Sequence, residues 1–287
     1  MIANPKAGNN RAVDVAKKAL DFLQKKGLDC QLVETTLDQN AQKVTEQHLT
    51  DDHTDLLVVG GDGTVNEAVN GMGSHTPALS ILSSGTGNDF IKNIELGNNI
   101  DEQLDTALNG QLIDIDLGLC NRRKFLNGVG LGFDGQIVRD MLHRKTWLTG
   151  HAAYYYHVLR ILASYQERTF EFSLDNNPHQ KDLILMTIGN GTTFGGGFKL
   201  TPDAKLDDGL LDVCLIGAIS AARRFLNVPR LSNGTHLKLK EIEVIQTKTL
   251  EIKENPLLEG HIDGEYLGKP PFSISLLPKA LKVRVRK

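Results

Sequence analysis

Three glycines and an acid, Gly60-Gly61-Asp62-Gly63, follow the apolar run Leu56-Leu57-Val58-Val59 directly and lead into Thr64-Val65-Asn66-Glu67. A buried strand that ends on such a loop and restarts as a helix suits a phosphate-binding turn, because glycine lets main-chain N–H groups face a ligand where a side chain would clash. Thr64 and Glu67 have the spacing of a capping box, which predicts the helix start at this point. A helix start carries unpaired donors and partial positive charge, so triphosphate oxygens are natural occupants. An ordinary strand-to-helix turn with no ligand is the competing reading. Asp62 argues against it, since a carboxylate beside phosphates is repulsive unless a divalent cation lies between them.

Around this loop, residues 2 to 117 alternate short apolar runs with amphipathic segments, the pattern of a parallel sheet flanked by helices. Ile2-Ala3 is the stump of a first strand, and a helix is predicted from Arg11 to Lys26, with Val13, Ala16, Leu20 and Leu23 on one face and a stop at Gly27. Further strands are expected at Cys30 to Glu34, Leu56 to Val59 and Ala78 to Leu82. After Leu117 the texture changes. Turn pairs such as Asn121-Arg122, Asp175-Asn176, Asp208-Gly209 and Asp263-Gly264 separate short strands, which predicts antiparallel β structure. Two helical inserts interrupt it, at about Gln136 to Ser164 and from Ser220 onward. The expected organisation is therefore α/β plus β: a Rossmann-like domain over 1–117, a mainly antiparallel β-sandwich over 118–287 whose last strand returns toward the first domain, and an active site in the cleft between them.

Bulk composition narrows the partners. A formal net charge of −3 and 23% charged residues give no global field for nucleic acid. Cys30, Cys120 and Cys214 are far apart and form no C-x-x-C pair, so neither a disulfide framework nor a zinc site is expected, and a cytoplasmic location fits. No secretory leader is recognisable, and no apolar run approaches the roughly 18 residues of a membrane span.

Two more glycine-containing loops follow predicted strands, Asn4-Pro5-Lys6-Ala7-Gly8 and Ser83-Ser84-Gly85-Thr86-Gly87-Asn88-Asp89. In an open parallel sheet such loops gather along one crest, where ligands bind. No G-x-x-x-x-G-K-[ST] occurs. Gly130-Leu131-Gly132-Phe133-Asp134-Gly135 matches G-x-G-x-x-G, but it lies in the β-rich half and lacks the acidic strand end that a dinucleotide site needs.

Taken together with Gly195-Gly196-Gly197, the stretch Pro202-Asp203-Ala204-Lys205-Leu206-Asp207-Asp208-Gly209-Leu210-Leu211-Asp212 and Asp263-Gly264-Glu265, these loops resemble the bacterial diacylglycerol kinase family of soluble lipid kinases, similar to sphingosine and ceramide kinases. The first strand departs from that pattern, being shorter than family members show, so either the sheet edge is shortened or residues precede Met1. The resemblance implies that Asn4, Pro5, Lys6, Ala7, Gly8, Thr35, Gly61, Asp62, Gly63, Thr64, Val65, Asn66, Glu67 and Thr86 hold ATP, and that Asp62 organises Mg2+. It implies a second, structural Mg2+ on the Asp208 carboxylate and the carbonyls of Lys205 and Leu210, where local logic alone reads a plain turn. It further implies that Asp263 accepts the proton of the lipid hydroxyl, with Glu265 in support. Locally, Asp263-Gly264 between Ile262 and Leu267 is a hairpin turn.

The implied activity is transfer of the γ-phosphoryl group to a lipid hydroxyl, most simply diacylglycerol giving phosphatidic acid. An NAD kinase-like phosphotransferase and a non-catalytic nucleotide-binding regulator are the alternatives, and no motif distinguishes among lipid acceptors. His143-Arg144-Lys145-Thr146-Trp147-Leu148, Tyr154-Tyr155-Tyr156 and Arg160 mix cations with interfacial aromatics, which suits peripheral contact with the inner membrane face. The competing reading packs that helix on its own domain through Val158, Leu159 and Leu162. Arg122-Arg123-Lys124 reads as a charged hairpin tip, the nine histidines show no metal-ligand spacing, and a homodimer is left open.

Overall fold

The computed structural model describes residues 1–287 apart from Asn9, Thr86, Lys145, Leu148 and Thr149, and without the side chains of His151 and Tyr154. The chain divides into two units, Met1–Ile115 with Lys279–Lys287, and Asp116–Pro278.

In the first unit, β1 (Ile2–Ala3), α1 (Arg11–Lys25), β2 (Val33–Glu34), α2 (Ala41–His48), β3 (Asp55–Gly60), α3 (Asp62–Gly71), β4 (Ala78–Ser83) and α4 (Ile100–Asn109) alternate along the chain. The strands pair in parallel in the order β2-β1-β3-β4, with Ile2 opposite both Val33 and Val58 and Leu56 opposite Leu79. Strand β2 is shorter than the expected Cys30 to Glu34 because β1 offers only Ile2 and Ala3 as partners. On α1 the buried face is Ala12, Ala16, Ala19 and Leu23, while Val13 and Leu20 are only half-buried. A stripe of alanines lets the helix lie close on the sheet, so the face is rotated from the one the larger side chains suggest.

The capping box expected of Thr64 and Glu67 does not form. Helix α3 already begins at Asp62 with Gly61 as its N-cap. Glu67 instead accepts the Ala41 N–H at 2.9 Å, satisfying one of the open donors of α2.

In the second unit follow β5 (Gln111–Cys120), which carries the chain over from the first, then β6 (Arg123–Phe125), β7 (Gly128–Gly132), α5 (Phe133–His143), α6 (Gly150–Leu162), β8 (Arg168–Leu174), β9 (Asn177–Leu183), β10 (Leu185–Gly189), β11 (Leu211–Ile216), α7 (Ala221–Asn233), β12 (Ile242–Thr247), β13 (Thr249–Ile252), β14 (Gly260–Ile262), β15 (Glu265–Gly268) and β16 (Phe272–Val285). One sheet is antiparallel in the order β12-β11-β10-β7-β14-β15. It packs on a second antiparallel layer in which β13 lies between β16 and β8, with β9 beyond. Val129, Leu131, Met186, Ile188, Val213 and Ile262 of the first sheet share a core with Phe170, Phe172, Leu250 and Phe272 of the second.

The other face of the first sheet is covered too. Leu185, Cys214 and Ile216 pack with Ile137 of α5 and Val158 and Ile161 of α6. That is why Leu211 to Ile216 reads as an almost unbroken apolar run although its sheet is antiparallel. Strand β16 continues beyond Lys279, whose φ is +51°, and its residue Val283, which belongs to the first unit, pairs in parallel with Leu79 of β4.

Candidate active site

Parallel pairing brings the loops that leave β1, β3 and β4 to one crest of the first unit's sheet. There they touch backbone to backbone. A Cβ at Gly8, whose φ is +59°, would stand 1.9 Å from the Ser84 carbonyl oxygen, and one at Gly85 would stand 2.6 Å from the Gly61 Cα. Only glycine fits at these positions. Asn4 Nδ2 donates to Thr64 Oγ1 at 3.1 Å, Asn4 Oδ1 accepts the Lys6 N–H at 3.1 Å, and the Ala7 N–H closes the Pro5 turn on the Asn4 carbonyl at 3.0 Å. Thr35 leaves β2 at the same end of the sheet, its N–H on the Ala3 carbonyl at 2.8 Å.

The Asp62 carboxylate accepts the N–H groups of Asp89 at 2.7 Å and Phe90 at 3.1 Å, which ties the loop after β4 to the start of α3. Gly63 follows it in the first turn of α3, while Thr64, Val65 and Asn66 are buried behind the loop. Among the described residues, Ser84 Oγ and Asn88 Oδ1 are buried at this crest without a hydrogen-bond partner. Buried polar atoms of that kind call for a polar occupant. Thr86, expected to touch nucleotide, lies outside the described residues.

In the second unit, Asp263-Gly264 joins β14 to β15 as a two-residue turn with φ of +44° and +82°, and Ile262 pairs with Glu265 across it. Both values are positive, as a type I′ hairpin requires. The local reading of a turn is therefore right, and it does not displace the functional one. Asp263 Oδ2 accepts the Leu126 N–H at 2.8 Å, and Oδ1 accepts those of Asn127 at 3.0 Å and Gly128 at 2.8 Å. Successive main-chain donors of this sort form a nest for an anion. Asn190, fully buried, braces the nest by donating from Nδ2 to the Leu126 carbonyl at 2.9 Å and the Asp116 carbonyl at 3.0 Å.

Glu265 is paired with Arg123. Arg122-Arg123-Lys124 does stand at the tip of the β5–β6 hairpin, where Cys120 pairs with Arg123, and the ion pair is a contact that the charged tip by itself did not announce. Neither Asn190 nor the nest is signalled by a motif, because both depend on β7, β10 and β14 lying side by side.

Around the expected structural cation, Asp208 Oδ1 accepts the Leu210 N–H at 3.0 Å, the Gly209 N–H donates to Asp116 Oδ2 at 2.8 Å, and the Asp116 N–H donates to the Leu206 carbonyl at 2.6 Å. Burial, and then the nearby charges of Asp208 and Asp203, raise the Asp212 carboxyl above its ordinary range despite a bond from Gln246. Its Oδ2 is buried with no partner. A hard cation beside these acids would relieve both, so the residues fit one. Among the described residues no three His, Cys, Asp or Glu side chains form a metal-holding group, so main-chain oxygens such as those of Lys205 and Leu210 would have to complete the ligand set.

On α5, α6 and the segment between them, Trp147 is 91% exposed and Leu142, Tyr155 and Tyr156 also face solvent. Val158 and Leu162 are buried as expected, but Leu159 is 50% exposed and so belongs to the outer face. Phe225 and Leu226 on α7 are exposed as well, a feature that sequence reading passed over. Arg160 is not a free surface cation. It pairs with the buried Asp140, as do Arg144 at 3.3 Å and His157 at 2.6 Å. Burial pushes the Asp140 carboxyl upward, but the bonds and charges of His157 and Arg160 prevail and hold it below its ordinary range. Lys145, Leu148 and the Tyr154 side chain lie outside the described residues.

Burial pushes the thiols of Cys120 and Cys214 up to about 12, which leaves them unreactive. Among the described residues no helix is long and apolar enough to cross a membrane.

Known proteins resemble this chain over nearly its whole length. Residues 1–120 match the diacylglycerol kinase catalytic domain, and residues 127–285 match the YegS C-terminal NAD kinase beta sandwich-like domain. The chain belongs to the bacterial diacylglycerol kinase family of soluble lipid kinases. It is 28% identical over 285 residues to the diacylglycerol kinase of Staphylococcus epidermidis RP62A, covering 99% of this chain and 90% of that one. With the diacylglycerol kinase of Staphylococcus carnosus TM300 it shares 26% identity over 99% of this chain and 93% of the relative. A solved diacylglycerol kinase structure from Bacillus anthracis str. Sterne superimposes with a TM-score of 0.75 at 24% identity, over 99% and 95% of the two chains. An NAD kinase from Archaeoglobus fulgidus in complex with ATP shares the fold at a TM-score of 0.56 and 11% identity, over 100% and 93%.

Proposed function

We propose that this chain transfers the γ-phosphoryl group of Mg-ATP to the hydroxyl of a lipid, with diacylglycerol as acceptor and phosphatidic acid as product. The observation that carries this reading is the Asp263 carboxylate, held at a two-residue turn by the Leu126, Asn127 and Gly128 N–H groups in a chain of this family. A carboxylate so positioned is the one side chain that phosphoryl transfer to an alcohol needs beyond charge neutralisation. The hydroxyl O–H bond breaks and its proton passes to Asp263, the oxygen bonds to the γ-phosphorus, and the bond from that phosphorus to the β,γ-bridging oxygen breaks to release ADP. Glu265, neutralised in part by Arg123, keeps the neighbouring charge in place.

Nucleotide binding falls to Asn4, Pro5, Lys6, Ala7, Gly8, Thr35, Gly61, Gly63, Thr64, Val65, Asn66, Glu67 and Thr86, with glycine N–H groups on the phosphates. Magnesium, when bound, neutralises phosphate charge, and Asp62 is the side chain assigned to it. A second cation belongs to the Asp208 carboxylate with the carbonyls of Lys205 and Leu210. The acceptor lies in a bilayer, and the exposed Trp147, Tyr156, Leu159 and Leu226 are the side chains proposed to meet its cytoplasmic face.

The test is incubation with labelled ATP, Mg2+ and mixed vesicles containing diacylglycerol, with NAD as a parallel acceptor. Labelled phosphatidic acid is expected. Label on NAD, or on neither acceptor, would overturn the assignment.

A further inference from the structure

The Gly130 to Gly135 stretch begins on β7, which pairs antiparallel with β10 and β14. Gly130 on β7 lies directly across from His261 on β14. A Cβ at Gly130 would stand 2.2 Å from His261 Nε2 and 2.9 Å from Asp134 Oδ2, so the glycine leaves the space in which ring and carboxylate meet. His261 is 7% exposed, and its Nδ1 accepts the Gly264 N–H at 3.4 Å. A neutral imidazole that accepts at Nδ1 carries its proton on Nε2. Nε2 faces Asp134 Oδ2 at 3.7 Å, beyond direct hydrogen-bond length, and that oxygen takes the Thr187 hydroxyl at 3.5 Å. The chain Thr187, Asp134, His261 thus ends on the main chain of Gly264, the residue after Asp263, within a turn whose two residues both have positive φ.

We propose that His261 is a positioning residue for Asp263. Its Nδ1 holds the Gly264 N–H, and with it the left-handed turn that aims the carboxylate, while the Asp134 carboxylate faces the opposite ring nitrogen at 3.7 Å. Asp263 itself adopts a conformation that a non-glycine residue favours only with local support. The nest anchors its carboxylate, the Gly128 carbonyl takes its N–H at 2.9 Å, and the imidazole holds the N–H of the next residue, Gly264. The inference rests on the assignment of Asp263 as proton acceptor.

The test uses His261→Ala, His261→Gln and His261→Asn in the full chain, beside Asp263→Asn. An asparagine oxygen can stand where Nδ1 stands, whereas a glutamine amide reaches the place of Nε2. His261→Ala and His261→Gln are expected to lower kcat roughly 10- to 100-fold, as a misplacement of about 1 Å does, with the KM for ATP within about twofold of the unaltered protein. His261→Asn should recover most of the loss. Amide exchange at Gly264, read by NMR without any turnover, should lose protection in His261→Ala and regain it in His261→Asn. Near-normal kcat in His261→Ala beside an inactive Asp263→Asn would overturn the inference and leave the phosphotransfer reading standing. Equal losses in all three His261 variants would reduce the residue to packing and also overturn it. An active Asp263→Asn would remove both assignments together.

Discussion

The glycine crest of the first unit and the Asp263 turn of the second keep their groups in place by opposite means. At the crest the determining feature is what is missing: Gly8, Gly61 and Gly85 allow loops to meet main chain against main chain, and a Cβ at Gly8 or Gly85 would collide. At the turn the determining feature is a side chain, a carboxylate fastened by three main-chain N–H groups, and the glycine beside it faces open space. Asp62 stands between the two styles, since its carboxylate also accepts main-chain donors, yet it serves to join loops that the glycines bring together. A site made by close approach should fail through binding and stability. One made by a held carboxylate should fail through turnover.

Asp263→Asn is the strongest probe of that contrast. It keeps the shape and one acceptor but cannot take a proton, so kcat should fall about 10²- to 10⁴-fold while the affinity for Mg-ATP changes little; steady-state kinetics beside calorimetric titration would check both. Gly85→Ala should do the reverse. Its Cβ would lie 2.6 Å from Gly61 Cα, a backbone contact that cannot swing aside, so we expect about 1–3 kcal/mol of destabilisation together with markedly weaker Mg-ATP binding, measurable by denaturation and titration. Equal kcat and affinity losses in both variants would break the distinction.

Asp140 supplies a third kind of acid, buried but clamped by His157 and Arg160 rather than by main chain. Asp140→Asn should cost about 2 kcal/mol at pH 7 without a specific effect on ATP affinity. Because its folded carboxyl is held below the ordinary value, the contribution is complete above the unfolded pKa of about 4 and is lost as pH falls through the lower folded value. Denaturation curves of the two proteins at neutral and acid pH should therefore converge only in acid.

Gly264→Ala comes next in size. With φ of +82° and no atom near its absent Cβ, it should add only backbone strain of about 1 kcal/mol, seen in kcat before it is seen in ATP binding. The smallest expected change is in Trp147→Ala. Its side chain is exposed, so folding should hold while sedimentation with anionic vesicles weakens severalfold.

How much of this could be read in advance differs from element to element. The Leu56 to Val59 run and its glycine loop announced β3 and the start of a helix correctly, because apolar continuity and glycine spacing are local properties. The Thr64–Glu67 box failed, since Asn4 and Ala41, both remote in sequence, claim the two side chains first. Similarly, Asp263-Gly264 advertised a hairpin by its composition, whereas the nest it docks into comes from residues more than a hundred positions earlier. The tip at Arg123 was legible, but its ion pair was not, for the same reason. Its partner Glu265 follows 142 residues later, and no window of sequence contains both.

The amino-acid sequence by itself determined the alternation of strand, glycine loop and helix in the first unit, the positions of the turns in the second, and which acids were available for chemistry. Those are consequences of periodicity, backbone freedom and side-chain type, all set within a few residues. Only tertiary structure decided which glycines face one another, which N–H groups hold Asp263, and that His261 reaches the turn beside it. Strand order and register bring such partners within hydrogen-bonding distance, and the pairing of β7 with β14 is a property of the folded sheet rather than of either strand.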